Sequence, residues 1–478
     1  MGKEVDAASV VEELRTVFAS GKTRSSKWRI EQLKGISRFL TEMEKEICEA
    51  VREDLRKPFF ESFTAEIATV KRSCAETIKA LPKWMKPEKV GTNLLVKPAS
   101  AEILPEPLGV CLIIGPWNYP VFLTLEPLIG ALSAGNCAVV KPSEVAPHTS
   151  ALITRCLPKY VDPDAVKVIE GGVSETTELL AQKWDKIFYT GNGRVARIVM
   201  AAAAKHLTPV TLELGGKSPV IVDSTVDIEA VAKRIAWGKW PSNNGQACVA
   251  PDYVLAEECA VPKLITSLKA NLKSFYGENP QKAEISRVIN HVHYNRLTGM
   301  LQDNETLDKV VHGGETDEND LYIAPTIVLD PPEESPIMQE EIFGPLLVVM
   351  TIKGVDQAIK FVNSRPKPLA LYVFSNNKAV QNQVIQETSS GAVVVNDTIL
   401  HVAVSSLPFG GVGESGMGAY HGPHSFNIFS HKKAILHRSF KADNGIRYPP
   451  YTTKKQKLIR SLMAGDVLGL ILMLLGLK

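Results

Sequence analysis

The first eighty residues follow a helical pattern of hydrophobic and polar positions. Between residues 10 and 81, apolar side chains recur at spacings of three and four, as at Leu33, Ile36 and Leu40, among many charged residues. This spacing predicts amphipathic helices that pack one face against the rest of the protein. Prolines then interrupt the pattern, and the alternation over residues 94 to 104 predicts strands that leave the globule.

Short apolar runs alternate with helical segments after residue 109. Strands are predicted at 109–114, 137–141 and 186–190, with helices between and after them. Strands of this kind that alternate with helices indicate a parallel sheet covered on both faces. A second alternating region, from about residue 210 to residue 404, predicts another α/β lobe. Because 478 residues are too many for one simple core, two or more lobes are expected.

Composition and charge exclude several classes of protein. Hydrophobic residues make up 45% of the chain and charged residues 22%, which is ordinary for a globular protein. The net charge is 54 − 52 = +2, so no nucleic-acid partner is predicted. Seven cysteines without a C-x-x-C pair fit neither a disulfide framework nor a zinc site, so no metal is predicted and a reducing compartment is expected. The acidic N-terminus matches neither a secretory signal nor a transit peptide, which predicts a cytoplasmic protein.

Cys248 and Glu213 are the strongest candidates for chemistry. Cys248 ends the run Asn243-Asn244-Gly245-Gln246-Ala247-Cys248, and Glu213 lies thirty-five residues earlier, beside a Gly-Gly turn. A cysteine among small and amide-bearing residues is open to a substrate and has donors near its thiolate. A glutamate beside such a turn is able to reach the same pocket and activate water. The alternatives are that the cysteine is a small buried hydrophobe and that the glutamate is a structural carboxylate.

A glycine-rich turn after the strand at 186–190 matches the pattern G-x-G-x-x-A. Its residues are Gly191, Asn192, Gly193, Arg194, Val195 and Ala196. The N-terminus of the helix that follows suits a pyrophosphate, because its free N–H groups and its dipole favour anions. In a strict dinucleotide-binding interpretation, Glu213 would bind the adenosine ribose rather than activate water. A tight strand-to-helix turn without a ligand is the structural alternative.

The segments around Cys248 and Glu213 resemble the two active-site signatures of the aldehyde dehydrogenase superfamily, in the same order and at a similar separation. The resemblance extends to Pro116-Trp117-Asn118-Tyr119-Pro120, Lys141-Pro142-Ser143-Glu144, Phe188-Tyr189-Thr190-Gly191-Asn192, Glu340-Glu341-Ile342-Phe343-Gly344-Pro345 and Pro408-Phe409-Gly410-Gly411-Val412-Gly413-Glu414-Ser415-Gly416. The short N-terminus and the ending Ser430-His431-Lys432-Lys433 look like the class 3 branch, which includes fatty and aromatic aldehyde dehydrogenases. Gly238-Lys239-Trp240 looks most like the plant members of that branch.

The resemblance implies a catalytic set of Cys248, Glu213 and Asn118. Cys248 would attack the aldehyde carbon, and the Asn118 side-chain amide together with the Cys248 N–H would stabilise the oxyanion. Glu213 would then activate the water that hydrolyses the thioester. Taken without the resemblance, Asn118 is also a candidate cap for the helix that follows it.

The resemblance also implies how NAD would bind. Lys141 and Glu144 would bind the adenosine ribose, and the glycine-rich turn would approach the pyrophosphate. Glu341 would accept the hydroxyls of the nicotinamide ribose, with Phe343 positioning the ring, and Trp117 belongs to the same predicted cofactor set. Glu144 should repel a 2′-phosphate, which favours NAD, and NADP stays an alternative.

The family fold is α/β, with a parallel-sheet NAD-binding domain, an α/β catalytic domain and a small β arm for bridging and oligomerisation. A homodimer is expected from the same resemblance. The predicted boundaries are 1–85 and 107–210 for the cofactor-binding domain, 211–405 for the catalytic domain, 86–106 and 425–445 for the arm, and 446–478 for a C-terminal tail.

These features predict NAD(P)-dependent oxidation of aldehydes to carboxylic acids. The family resemblance favours hydrophobic medium- to long-chain or lipid-derived aldehydes, and a role in aldehyde detoxification under stress. The alternatives are a dehydrogenase that passes the acyl group to coenzyme A, a reductase, and a non-enzymatic structural protein. Glu213 argues for hydrolysis over the first two, and the catalytic set argues against the third. Pro241 departs from the plant-like pattern and is expected to alter access to Cys248, because proline fixes φ and lacks an N–H.

The segment from Val467 to Leu477 is apolar on every face and follows the basic residues Lys454, Lys455, Lys457 and Arg460. It is shorter than the roughly 20 apolar residues that span a bilayer. Either it packs as a helix over the substrate entrance or the dimer partner, or it makes a peripheral contact with a membrane. The second alternative would place the protein at the cytosolic face of that membrane, helped by the basic residues.

Overall fold

The computed structural model describes residues 6–93, 96–440, 445–466, 468, 469 and 472. The chain divides into two compact units, of which the first comprises residues 1–81 and 107–429 and the second residues 82–106 and 430–478. Most of the apolar segment between Val467 and Leu477 lies outside the described residues, so both expectations for it remain predictions. In the described part of the chain, no helix has the length and apolar character needed to cross a bilayer.

The α-helices are labelled α1 to α18 in chain order. They are Ala7–Ala19, Ser26–Glu42, Glu44–Leu55, Phe59–Glu61, Thr69–Trp84, Phe122–Ala134, Pro147–Cys156, Val173–Leu180, Gly193–Ala204, Ile228–Lys239, Val261–Tyr276, His291–Gln302, Asn304–Leu307, Pro336–Gln339, Val355–Asn363, Lys378–Glu387, Gly422–Ile428 and Thr453–Met463.

The strands are labelled β1 to β18 in the same way. They are Glu88–Val90, Ser100–Pro107, Val110–Ile114, Cys137–Lys141, Val166–Val168, Lys186–Thr190, Val210–Glu213, Pro219–Val222, Tyr253–Glu257, Val310–His312, Thr316–Asp317, Tyr322–Ile323, Thr326–Leu329, Leu346–Ile352, Ala370–Phe374, Ala392–Val395, Gly416–Met417 and Ser430–His437.

The helical pattern of the N-terminal region is confirmed by α1, α2, α3 and α5. The apolar positions that carried the prediction, Leu33, Ile36 and Leu40, are completely buried on α2. Between α4 and α5 the helix widens into a π-helix over Ser62–Ala68. A π-helical segment shifts the side chains after it around the helix axis and is common near functional sites. The pattern of hydrophobic residues did not predict this widening.

The first sheet has six strands in the order β17-β7-β6-β3-β4-β5, of which β3 to β7 run parallel. All residues of β3 and β4 are buried, as expected for strands covered by helices on both faces. This arrangement confirms the predicted α/β class. The sheet continues past residue 210, the predicted end of the first domain, because β7 pairs with β6 as far as Glu213.

The second sheet has seven strands in the order β10-β13-β14-β9-β8-β15-β16, and only β10 pairs antiparallel with its neighbour. Its core includes Leu255, Val348 and Val373, which lie on three of the central strands and are completely buried. The alternating apolar pattern after residue 210 is therefore a second α/β lobe within the first unit.

The second unit contains a three-stranded sheet in the order β1-β2-β18. β1 and β2 pair antiparallel, with Glu88 opposite Ile103. Residues 425–428 of the predicted arm form the end of α17, and β18 begins at Ser430. The functional role of this unit and the domain limits remain predictions.

Parallel pairing brings several predicted site residues to one edge of the six-stranded sheet. Lys141 ends β4, Thr190 ends β6 opposite Glu213, and Glu213 ends β7. Trp117 and Asn118 follow the end of β3. Open α/β sheets bind ligands beyond the carboxyl ends of their strands, so the topology places the candidate residues where a cofactor would be expected.

Candidate active site

The loop that carries Asn118 is held by a buried ion pair. The Lys57 ammonium donates to Glu66 Oε1 at 2.7 Å and to the backbone carbonyl of Asn118 at 3.0 Å, and it lies 4.0 Å from the centre of the Tyr119 ring. Both charged side chains are fully buried. The second oxygen of Glu66 accepts the backbone N–H of Val121 at 2.8 Å. The pair therefore connects the π-helix to both ends of this loop.

The loop that precedes Cys248 is hydrogen-bonded to the same backbone carbonyl, that of Asn118. The Asn118 carbonyl also accepts the side-chain amide of Asn243 at 2.8 Å. In return, Asn118 Nδ2 donates to the backbone carbonyl of Gln246 at 3.1 Å. Since a side-chain amide has two N–H donors, one remains for another acceptor. Two segments far apart in the sequence thus fix the orientation of one amide group.

The turn before Cys248 has an unusual backbone. Asn243 and Asn244 both have φ = 51°, and Gly245 has φ = 79°. Left-handed conformations suit asparagine and glycine, which explains the Asn-Asn-Gly sequence. At Gly245, an added Cβ would lie 2.1 Å from the carbonyl oxygen of Gly344, so only glycine permits this approach. The cysteine loop is consequently packed against the loop that contains Phe343.

Cys248 lies in the wall of a cavity of about 580 Å³. This volume is in the usual range of small-molecule sites. Most lining side chains are apolar, and they include Phe122, Trp240 and Phe409. Burial raises the pKa of the Cys248 thiol well above its ordinary value, and the carboxyl groups of Glu341 and Glu213 raise it further. The resting thiol is therefore protonated at neutral pH.

Glu213 is buried near the thiol with little to stabilise its charge. Its exposed fraction is 3%, and within the described residues neither carboxyl oxygen has a hydrogen-bond partner. Burial raises its pKa well above the ordinary value of a glutamate. A carboxyl group in this setting is a stronger base when ionised than one in water.

Glu341 lies on a loop that several charged groups hold in place. Arg296 donates to the carbonyl oxygens of Glu341 and Ile342 at 3.1 and 2.6 Å. Asp252, which pairs with Lys217, accepts the Ile342 N–H at 2.9 Å. Burial raises the pKa of Glu341 to about 8. An added Cβ at Gly215 would lie 2.3 Å from the Glu341 carboxylate, so this side chain extends over the Gly-Gly turn beside Glu213.

The predicted aromatic part of the cofactor site is assembled around Trp117. Its ring lies 5.3 Å from that of Phe343, edge to face, and 4.8 Å from that of His293. Phe343 has φ = 49°, an uncommon conformation for a bulky residue. The Lys217, Asp252 and Arg296 contacts described above hold the loop on which this conformation occurs. The structure therefore brings Trp117 into contact with Phe343, two residues after Glu341.

The residues predicted for the other part of the cofactor lie at the sheet edge. Lys141 forms an ion pair with Glu144. Asn192 caps α9 by accepting the Val195 N–H at 3.0 Å, which leaves the N–H groups of Gly193 and Arg194 at the open end of the helix. Gly191 donates its N–H to the Glu213 carbonyl at 3.0 Å, and the Arg194 side chain is exposed.

Ala196 has a packing role in the structure. Its exposed fraction is 2%, and its N–H donates to the Asn192 carbonyl at 3.1 Å. It belongs to the core cluster that includes Tyr189 and Val199. The match to the last position of G-x-G-x-x-A therefore reflects close packing of α9, and contact of Ala196 with a cofactor remains only a prediction.

Several residues of the site were not predicted from the sequence. Lys57 and Glu66 lie in a charged helical region, where exposed ion pairs are the ordinary expectation. Three further residues that the sequence did not indicate, Glu61, Tyr276 and Ser286, line the cavity.

The described residues contain no group of three or more His, Cys, Asp or Glu side chains arranged to hold a metal ion.

Comparison with known proteins assigns this arrangement to a family. The model of the aldehyde dehydrogenase family matches residues 1–435. The chain is 52% identical over 476 residues to "Aldehyde dehydrogenase family 3 member I1, chloroplastic" of Arabidopsis thaliana, covering 99% of this chain and 86% of that protein. It is 49% identical over 450 residues to "Aldehyde dehydrogenase, dimeric NADP-preferring" of Mus musculus, covering 94% and 98%.

A solved structure agrees with these sequence relatives. The substrate-bound state of Staphylococcus aureus AldH superimposes with a TM-score of 0.93 and 42% sequence identity. The match covers 96% of this chain and all of that chain.

Lys57 provides a test of the ion pair that holds the Asn118 loop. We expect Lys57→Met to lower the free energy of unfolding by about 3–5 kcal/mol, because it leaves the Glu66 carboxylate buried without a counter-charge. The double variant Lys57→Met/Glu66→Gln should lose clearly less, since the uncompensated charge is gone. Denaturant unfolding measures both values.

The control for this prediction is an exposed pair. Lys45 and Glu49 are 3.7 Å apart, with side chains 81% and 59% exposed, so Lys45→Met should change the free energy by no more than about 0.5 kcal/mol. A Lys57→Met effect as small as that of Lys45→Met would contradict the structural role assigned to the buried pair.

Proposed function

Because the chain belongs to the aldehyde dehydrogenase family and is an oxidoreductase that acts on aldehydes, we propose that it oxidises hydrophobic aldehydes to carboxylic acids through a thioester on Cys248. The observation that carries this proposal is the position of Cys248 in the wall of an apolar cavity. The Asn118 amide bonds the carbonyl of Gln246, two residues before Cys248, and the buried Glu213 carboxyl group contributes to the raised pKa of the thiol. The same three residues were predicted from the sequence as a nucleophile, an oxyanion donor and a base.

Cys248 supplies the nucleophile. Its sulfur attacks the carbonyl carbon, which becomes tetrahedral and carries a thiohemiacetal oxyanion. Only the thiolate is strongly nucleophilic, so the thiol must first pass its proton to water in the cavity. The raised pKa of this thiol keeps it protonated, and unreactive, until water accepts that proton.

Asn118 supplies a donor for the oxyanion. One N–H of its amide is bonded to Gln246, and the second is proposed to stabilise the negative oxygen together with the Cys248 N–H. A fixed donor costs no reorganisation when the charge develops, and one such donor is typically worth about 3–4 kcal/mol. The Lys57 and Asn243 contacts give the loop this fixed position.

Glu213 acts after the thioester has formed. Its ionised carboxylate takes a proton from water, which attacks the thioester carbon, and the Cys248 sulfur leaves as the acid is released. Among the described residues the Glu213 carboxyl group has no hydrogen-bond partner, which favours this role over transfer of the acyl group to coenzyme A. Assays with and without coenzyme A distinguish hydrolysis from an acylating dehydrogenase. A reductase acting on an activated acid would have no use for this base.

The enzyme takes a nicotinamide cofactor, which when bound accepts the hydride from the tetrahedral carbon. The residues at the sheet edge fit such a group in their chemistry. Lys141 and Glu144 are proposed to hold the adenosine ribose, and the open N-terminus of α9 at Gly193 suits the pyrophosphate. The buried Glu341 carboxyl group, with Trp117 and Phe343 near it, is proposed to orient the other ribose.

The choice between NAD and NADP rests on Glu144. Its carboxylate would repel a 2′-phosphate, and the ion pair with Lys141 weakens that repulsion. We propose NAD as the preferred cofactor, with NADP also accepted. The mouse relative is named as NADP-preferring, so kinetics with each cofactor are the direct test.

The cavity supports hydrophobic medium- to long-chain or lipid-derived aldehydes as substrates. Trp240 and Pro241 contribute to its lining, in line with the expectation that Pro241 affects access to Cys248. An apolar substrate gains about 25 cal/mol for each Å² of its surface that the cavity removes from water. The catalytic efficiency should therefore rise with chain length until the cavity is filled.

The assembly and location of the enzyme are also proposals. We propose a homodimer built through the three-stranded sheet of the second unit, because an edge strand is a ready surface for further pairing. The mouse relative is named as dimeric. We further propose a cytoplasmic enzyme, and cell fractionation together with sedimentation equilibrium of the full chain tests both statements.

Replacement of Cys248 tests the proposed nucleophile. We expect Cys248→Ala to retain less than about a thousandth of the oxidation rate, because a missing nucleophile usually costs several orders of magnitude. The variant should still fold and bind NAD. Cys259 is exposed and serves as the matched control, so Cys259→Ala should keep the wild-type rate. Activity of Cys248→Ala above that limit would mean that another group is the nucleophile.

Deletion of residues 464–478 tests the proposed membrane contact of the tail. If the basic and apolar residues bind a membrane surface, the truncated chain should lose co-sedimentation with anionic liposomes that the full chain shows. If the tail covers the substrate entrance, kcat/KM for a long-chain aldehyde should change instead. The proposal of a membrane contact fails if the full chain does not sediment with the liposomes.

A further inference from the structure

Three polar side chains lie together in the largely apolar wall of the Cys248 cavity. We call Glu61, Tyr276 and Ser286 the polar cluster; all three line the cavity. None of them has a role in the chemistry described above. Polar groups in an apolar ligand cavity usually fix the orientation of a ligand and determine specificity.

Two members of the polar cluster have unused hydrogen-bonding capacity. Tyr276 Oη and Ser286 Oγ are buried, and in the described part of the chain neither has a hydrogen-bond partner. The Ser286 side chain is 1% exposed. A buried hydroxyl without a partner is unfavourable, so such groups in native proteins call for an explanation. Their position in the wall of a substrate cavity suggests that the substrate supplies the partner.

The third member provides an acceptor. The Asn243 N–H donates to Glu61 Oε1 at 2.6 Å. A carboxylate has about four acceptor positions, so this bond leaves capacity for a ligand. The Glu61 side chain is also held in place by this bond, which gives the acceptor a defined position.

The polar cluster is assembled around the turn that precedes Cys248. Asn243 binds Glu61, and the next residue, Asn244, donates its side-chain amide to the Ser286 carbonyl at 3.1 Å. Tyr276 packs against the small apolar cluster that contains Ile285. Burial, and next the charge of Glu61, raise the pKa of Tyr276.

We propose that the polar cluster binds a hydroxyl group of the aldehyde, remote from its carbonyl, so that hydroxylated aliphatic aldehydes are preferred over unsubstituted ones. This inference rests on the proposed oxidation of aldehydes at Cys248. A hydroxyl group both donates and accepts: its proton satisfies Glu61, and its oxygen accepts from Tyr276 or Ser286. The aliphatic chain between the two ends would occupy the apolar part of the cavity.

Other polar substituents fit the polar cluster less well. Burial raises the pKa of Glu61 to about 7, and its ionised form would repel a second carboxylate on the substrate. An ammonium group has three donors and no acceptor, so it would leave the Tyr276 and Ser286 protons unpaired. It would also lose its hydration among apolar walls, which is costly for a charged group. A neutral hydroxyl avoids the repulsion by Glu61, the unpaired protons and the loss of hydration of a charged group.

Paired substrates test this specificity. We would measure kcat/KM of the full-length enzyme for octanal, decanal and dodecanal and for their ω-hydroxy derivatives. We expect a preference of at least about tenfold for the hydroxylated member at one chain length or more, because a site built to bind a hydroxyl discriminates against the analogue without it. Tyr276→Phe and Ser286→Ala should each lower this ratio by at least about threefold, since each removes one donor.

Tyr322→Phe is the matched control. Tyr322 is buried in the same small apolar cluster as Ile285 but is not a lining residue of the cavity, so its variant should keep the wild-type ratio. A wild-type ratio below about twofold at every chain length would overturn the inference, as would a ratio that both cavity variants leave unchanged. Failure of the wild-type enzyme to oxidise either series would instead overturn the proposed function, and the inference with it.

Discussion

The geometry of the site depends on one buried ammonium group. Lys57 joins Glu66 on the π-helix to the carbonyl of Asn118, and the same carbonyl accepts the side chain of Asn243 from the cysteine loop. A buried charge is tolerated only when it is paired and hydrogen-bonded, so the chain must adopt the conformation that satisfies it. This requirement holds the Asn118 amide on the carbonyl of Gln246, two residues before Cys248, and the proposed oxyanion stabilisation depends on that position.

The apolar surroundings that make such pairing necessary also determine the chemistry. Burial keeps Cys248 protonated at rest and raises the pKa of Glu213. The apolar cavity wall favours hydrophobic substrates and increases the importance of its few polar groups. The buried Lys57 and Glu66 side chains pair with each other, whereas the hydroxyls of Tyr276 and Ser286 have no hydrogen-bond partner among the described residues.

The sequence predicted the fold class, because it depends on local patterns. The roles assigned to Asn118, Glu213 and Cys248 remain proposals. Apolar runs such as 137–141 became buried parallel strands, and the motifs around Asn118, Glu213 and Cys248 lie at strand ends and turns that meet. The sequence did not predict the pairing of Lys57 with Glu66, because the two lie nine positions apart in a charged helical region. Only the π-helix and tertiary packing make them a buried pair. Ser286 lies more than two hundred residues after Glu61, so no local pattern connects them. Ala196 matches the last position of G-x-G-x-x-A because α9 packs closely against the core there.

The central claim is that Glu213 acts on the thioester and not on the cofactor ribose, and stopped-flow kinetics of Glu213→Gln test it most directly. The account predicts that the first turnover still yields a burst of NADH while steady-state turnover falls about 10²–10⁴-fold, the usual contribution of a general base. Normal turnover at saturating NAD, with only the affinity for NAD reduced, would contradict the account and assign Glu213 to the ribose.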